Sequence, residues 1–179
     1  MKHLGSFVIA ASASVLAIGD LAQADLVGSY SVGSGASRSY LQFEFANSNT
    51  YLYEVRYDGI LRGDDLFAIV AAAQPSFFSY QVVSFSFGDA LFGVTIGGDS
   101  NEGFGNPPSY LDYWHYWMRE PAASTWTSAM IGFGDRVVSN GSWDGWIFDS
   151  DAPPAAVPTP AAGVALLATA CLARRRRRR

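Results

Sequence analysis

The chain has one cysteine in 179 residues, Cys171, and one lysine, Lys2. Between residues 25 and 160 there is neither, and His115 is the one histidine. The missing cysteines exclude disulfides, thiol catalysis and thiolate-held metals from this stretch. The missing lysines leave five arginines, Arg38, Arg56, Arg62, Arg119 and Arg136, against fifteen carboxylates, a net charge of −10. The formal −4 of the whole chain hides this, because Lys2 and six terminal arginines supply the other basic groups. A surface so acidic repels polyanions, so no nucleic acid is expected as a partner. Long hydrophobic runs are also missing. Leu4–Ile18 and Ala161–Ala173 are the apolar stretches, and the second falls short of the roughly 20 residues of a comfortable membrane span.

Both ends nevertheless carry addressing features. Met1, Lys2 and His3 open a basic start, Leu4–Ile18 is apolar or small, and Ala22-Gln23-Ala24 is an Ala-x-Ala pattern. This predicts a secretory signal peptide over 1–24, cut between Ala24 and Asp25 by signal peptidase. At the other end Val157-Pro158-Thr159-Pro160 precedes the apolar run, and Arg174, Arg175, Arg176, Arg177, Arg178 and Arg179 follow it. Six adjacent guanidinium groups stay in water and hold on the cytoplasmic side while the apolar run enters a bilayer. Residues 157–179 resemble the PEP-CTERM sorting signal of Gram-negative bacteria and planctomycetes, with Thr159 where the commonest form has Glu. That resemblance implies recognition by an exosortase-type membrane protease, removal of the helix and delivery to the cell surface or extracellular matrix. A plain C-terminal anchor is the alternative. Cys171 reads as a small apolar filler within the run.

The body, 25–150, is one exported domain by size, and the Asp-, Ala- and Pro-rich 151–156 reads as a linker. Its pattern is mostly that of strands. Leu26–Val32 is a first short strand. Tyr40–Phe45 and Tyr51–Tyr57 alternate and flank Asn47-Ser48-Asn49, which predicts a β-hairpin. Gly63-Asp64-Asp65 then leads Leu66–Ala73, a short helix whose start the aspartates favour. Further strands are expected at Ser84–Phe87, Leu91–Ile96, Tyr113–Trp117, Ile131–Phe133, Arg136–Val138 and Trp143–Phe148. Gly97–Pro108 reads as a loop, in which Asp99, Asn101 and Glu102 are oxygen ligands at short spacing but without the acid series of a dedicated calcium site. The order predicts an α+β fold, β-grasp-like, antiparallel-rich with one main helix; an all-β sandwich is the alternative.

The body resembles an exported bacterial family of uncharacterised function through Tyr53–Gly59, Gly63–Ala73, Tyr113–Trp117, Trp126 and Gly141–Trp146. The helix, strand and aromatic-pair order is similar, more loosely, to the β-grasp domain of transcobalamin-like proteins, which implies a small ligand such as a cobalamin.

All five tryptophans fall between Trp114 and Trp146. Indole faces stack on sugar rings, so Trp114, Trp117, Trp126, Trp143 and Trp146, with His115 and Asp144, are the candidate ligand-binding residues. A disulfide-free core is built of the same residues, and at least three of the five are expected to be buried. No nucleophile-elbow pattern accompanies His115. Glu54, Glu102, Glu120, Asp112 and Asp144 are the acids from which a glycosidase pair would be drawn. The expectation is a non-enzymatic surface or matrix protein, needing no cofactor, that passes transiently through the inner membrane by the secretion machinery and binds exopolysaccharide. A small-ligand module is the alternative, and a weak hydrolase ranks below both.

Overall fold

The computed structural model describes residues 25–157, apart from Phe87, Ala122 and Ser124. The expectations for Ala22, Ala24, Pro158, Thr159, Pro160 and Arg174–Arg179 therefore lie outside the described residues. Among those described, no helix is long and apolar enough to cross a membrane.

The hairpin forms where the alternation places it. Strands β2 (Ser37–Glu44) and β3 (Asn49–Tyr57) pair antiparallel, with Phe43 opposite Tyr51. The turn is built by the predicted residues: the Asn47 side-chain oxygen accepts the Asn49 N–H at 3.0 Å, and Ser48 takes a positive φ of 68°. Strand β1 (Asp25–Gly33) runs parallel to β3, and a bulge at Leu26/Gly28 lets its two ends serve opposite faces. Strand β9 (Trp143–Phe148) runs parallel to β2 on the other side, followed by β7 (Trp114–Arg119) and the two-residue β8 (Thr127–Ser128). The order is β1-β3-β2-β9-β7-β8. A second, antiparallel sheet contains β4 (Phe78–Phe85), β5 (Gly88–Ile96) and β6 (Asp99–Glu102).

This is a β-rich α+β fold, antiparallel-rich, with one short helix as expected. Helix α1 spans Gly63–Ala73, and Asp65 accepts the Arg62 N–H at 2.8 Å, closing its first turn. Gly63 is required there: a Cβ would lie 2.4 Å from the Phe133 carbonyl oxygen. Leu66, Phe67 and Val70 form the buried stripe of α1.

The core lies between one face of the large sheet, here the inner face, and α1 with the small sheet. Leu41, Phe43, Tyr51, Tyr53 and Val55 meet Phe67, Phe78, Leu91, Val94 and Ile96. Phe43, fully buried, sets its edge against Phe67 at 5.4 Å and Trp114 at 5.9 Å. Such aromatic pairs add about 0.5–1.5 kcal/mol beyond area burial, and here they stand where disulfides would in a smaller exported domain.

Three expectations need correction. Gly97–Pro108 is not a plain loop, because Asp99–Glu102 forms the edge strand β6. An edge strand needs no apolar face, so its polar residues hid it. Ile131–Phe133 and Arg136–Val138 are not strands; Val137 makes only an isolated bridge to Arg62. Their three-residue alternations are too short to outweigh the surrounding glycines, although Phe133 and Val138 still reach the core. Asp65, finally, acts from within the first turn of α1 and is not the residue preceding it.

Candidate functional site

Strands β7 and β9 carry most of the candidate residues, and pleating divides them between two faces. Trp114, Tyr116, Asp144, Trp146 and Phe148 point inward; His115, Trp117, Arg119, Trp143, Gly145 and Ile147 point outward.

The inward set is structural packing. Trp114 and Trp146 are buried, and Trp146 stacks on Tyr116 with ring centres 4.3 Å apart. Beside them lies a buried ionic network that the sequence reading missed. Arg136 Nε sits 2.7 Å from Asp144 Oδ1, while its NH1 donates to Glu120 Oε1 at 2.9 Å. The Tyr116 hydroxyl donates to the same Asp144 oxygen. Burial raises the Asp144 pKa to about 6 against the pull of Arg136. The Tyr116 phenol is raised by burial and by the Asp144 charge beside it. Asp144 was a candidate for contacting a ligand, yet it is 2% exposed and faces Arg136. Arg136 lies in an irregular segment with no motif around it, so only the fold brings it to β9.

In the outward set the β9 residues Trp143, Gly145 and Ile147 are buried, and His115, Trp117 and Arg119 of β7 form a half-buried stripe. Tyr113 stacks on His115 at 3.7 Å, and Trp117 follows two residues along the same face. Burial holds the His115 pKa below its ordinary value, with Leu111 O 3.2 Å from its Nε2. Arg119 lies over Trp143 at 4.1 Å and over Trp126 at 4.8 Å, and because the two indoles are perpendicular its guanidinium sits in the corner between their faces. Trp143 stacks on Tyr40 at 4.4 Å and is itself buried. Trp114, Trp143 and Trp146 are thus the three buried tryptophans, which leaves Trp117 and Trp126 partly open with His115.

The segment read as a linker is docked across this outer face. Pro154 sits beside Trp126 over Gly145, where an added Cβ would lie 2.8 Å from each. The Gln42 side-chain amide donates to Ala155 O at 2.8 Å, and Ala155 N–H donates to Glu44 Oε2 at 2.9 Å. Burial raises the Glu44 pKa and this hydrogen bond opposes the rise. Val157, the first residue of the predicted sorting motif, packs against the cluster of Tyr40, Leu52 and Trp143, as does Leu26, one residue beyond Asp25. The strap thus crosses from β9 over β2 toward β3. Gly145→Ala is expected to cost about 1–3 kcal/mol by overpacking and to lift the strap; thermal unfolding with tryptophan emission reads both.

The acids considered for hydrolysis are mostly engaged. Glu54 pairs with Arg56 at 3.0 Å, Asp112 accepts from the Asn106 side chain at 2.6 Å, and Glu120 and Asp144 share Arg136. Asp99, weighed as a calcium ligand, accepts from Asn47, Asn49 and Tyr51, and the Tyr51 hydrogen bond leads in holding its pKa down. An open cleft of about 380 Å³ is lined by Tyr30, Gln74, Pro75, Ser76 and Phe77. Another of about 450 Å³ lies between Gly33, Arg56, Asp58 and α1. Neither is lined by Tyr113–Trp117. No protein-family model matches the chain, and no curated protein matches its sequence.

Proposed function

We propose that this chain is an exported bacterial surface or extracellular-matrix protein, non-enzymatic, sorted by a PEP-CTERM-like tail, whose outer-face stripe binds polysaccharide. The observation that carries the binding reading is the half-buried set His115, Trp117 and Trp126 gathered on the outer face of the sheet, with the Arg119 guanidinium in the corner of two perpendicular indole rings. Such rings offer apolar faces to the axial C–H groups of a sugar. A sheet presents them in fixed register, which suits a repeating polymer better than a single small molecule. The small-ligand reading asks for a cleft beside Tyr113–Trp117, and the clefts described above lie elsewhere, by β1, β3 and α1. The acidic body disfavours polyanionic polymers, so neutral or cationic polysaccharide is the expected class.

Titration of the purified protein with the producing cell's own exopolysaccharide tests the binding. Tryptophan emission should shift in the wild type, and the shift should fall at least severalfold in Trp117→Ala and Trp126→Ala. No shift at millimolar sugar ends the polysaccharide reading. Intact mass tests the sorting: a surface species starting at Asp25 and ending near Pro158–Pro160 is expected, whereas a species that keeps Cys171 and the arginines makes the tail a retained anchor.

A further inference from the structure

We infer that, while the tail is in the bilayer, the outer face of the six-stranded sheet rests against the headgroups of the inner membrane, held there by the docked strap. The inference rests on the sorting reading above and specifies how the body sits during it.

A free linker would leave ten residues, eleven Cα–Cα steps, between Ser150 and Ala161, where the apolar run begins, a reach of about 40 Å. The strap removes most of this slack. Ala155 is hydrogen-bonded in both directions to Gln42 and Glu44, and Val157 is packed on Tyr40, Leu52 and Trp143. Three residues, four Cα–Cα steps, then remain between Val157 and Ala161, about 14 Å at full stretch. The headgroup layer itself takes up about 5–7 Å of that. A domain of this size is roughly 35 Å across, so the body cannot turn its far side to the membrane on so short a lead.

The other end of the body attaches at the same place. Leu26, immediately after the predicted cleavage site, packs on the cluster that holds Val157. Both apolar terminal segments therefore leave from one patch of one face, and before either is cut both constrain that face toward the bilayer. The chemistry of the face suits this. Arg38, Arg56 and Arg119 lie on it beside Glu44 and Glu54, with Arg56 paired to Glu54 at 3.0 Å, so this face does not share the excess of acid in a body of net charge −10. Partly exposed Trp117 and Trp126 lie there too, and Trp settles at headgroup depth. The small sheet turns its exposed face the other way: Phe78 points into the core, and its neighbour Ser79 points out. The stripe assigned to polysaccharide is consequently covered until the tail is removed, and it becomes available on release.

Lipid photocrosslinking on the full chain in its own membranes tests this. A photoreactive phenylalanine replaces Ser29, exposed and opposite Leu52 of the exit patch, or Ser79 on the small sheet, and adducts are scored on the tail-bearing species by mass. Position 29 is expected to give severalfold more lipid adduct than position 79. The pair Gln42→Ala with Glu44→Ala, which releases the strap, should erase that bias while the protein stays folded and membrane-bound. Equal labelling at the two positions in the wild-type background overturns the inference and leaves the sorting reading standing. A bias that survives release of the strap overturns the strap's role. A chain that never enters the membrane fraction overturns both readings.

Discussion

Arg136→Met is expected to destabilise the domain by about 3–5 kcal/mol, the largest effect of any single substitution considered, because it leaves Asp144 buried without its cation. Asp144 is 2% exposed, Arg136 5%, and the guanidinium lies 2.7 Å from the carboxylate. Removing both charges should cost far less than removing one. Arg136→Met combined with Asp144→Leu should therefore recover most of the loss in a urea denaturation, since buried ion pairs are commonly close to neutral against apolar replacements of similar volume. A double variant as unstable as Arg136→Met alone would mean that the network is worth more than its desolvation. The same network predicts a pH response. Burial raises the Asp144 pKa to about 6, above the roughly 3.9 of an unfolded Asp. The folded state then holds the proton more tightly, so the contribution of this group to stability is fully present below about pH 4 and is lost as pH rises through about 6. His115, whose pKa is lowered by burial, works in the opposite direction. The clean readout is therefore the difference between wild type and Asp144→Asn, in which His115 and Glu44 cancel. That difference should change between pH 4 and 7 and be flat at higher pH. A difference flat throughout would place the Asp144 titration at its ordinary value.

The second large effect concerns the strap. A chain stopped after Asp151 is expected to be less stable than one stopped after Val157 by about 2–4 kcal/mol, the sum of two hydrogen bonds at about 1 kcal/mol each and the apolar contacts of Pro154 and Val157. Gln42 and Glu44 would each lose their partner on Ala155. Trp126 would lose Pro154 from the space over Gly145 and become more exposed. The measurement is a pair of urea unfolding curves with tryptophan emission, in which the shorter chain should also emit further to the red. Coincident curves would return 151–156 to the status of a linker and remove the short tether with it. Processing near Pro158–Pro160 would spare every strap contact named here, so the released protein keeps its full fold.

Much of the domain could be read before any coordinates. The hairpin, its Asn47-Ser48-Asn49 turn and helix α1 depend on neighbours within about ten residues, and local alternation and capping encode such features directly. The burial of three tryptophans followed from composition alone, because a domain without disulfides must build its core from large side chains. Strand β6 was missed because an edge strand carries no apolar signature. Arg136 was visible only as one of five arginines, and nothing near it marks a partner on β9. The docking of 154–157 was hidden for a different reason: Pro- and Ala-rich composition reads the same whether a segment is free or laid on a sheet.

The sequence by itself determined the acidic, cysteine-free character of the body, its β-rich class with one helix, and the polar and apolar order of its two ends. These are matters of composition and short-range periodicity. Only the tertiary structure decided that β1 and β9 run parallel to the central hairpin, that Asp144 is sealed against Arg136 while Trp117 and Trp126 remain partly open, and that Leu26 and Val157 meet on one face. Each of these outcomes joins residues separated by many positions in the chain. Strand order and the choice of pleat face fix them, and no local pattern carries that information.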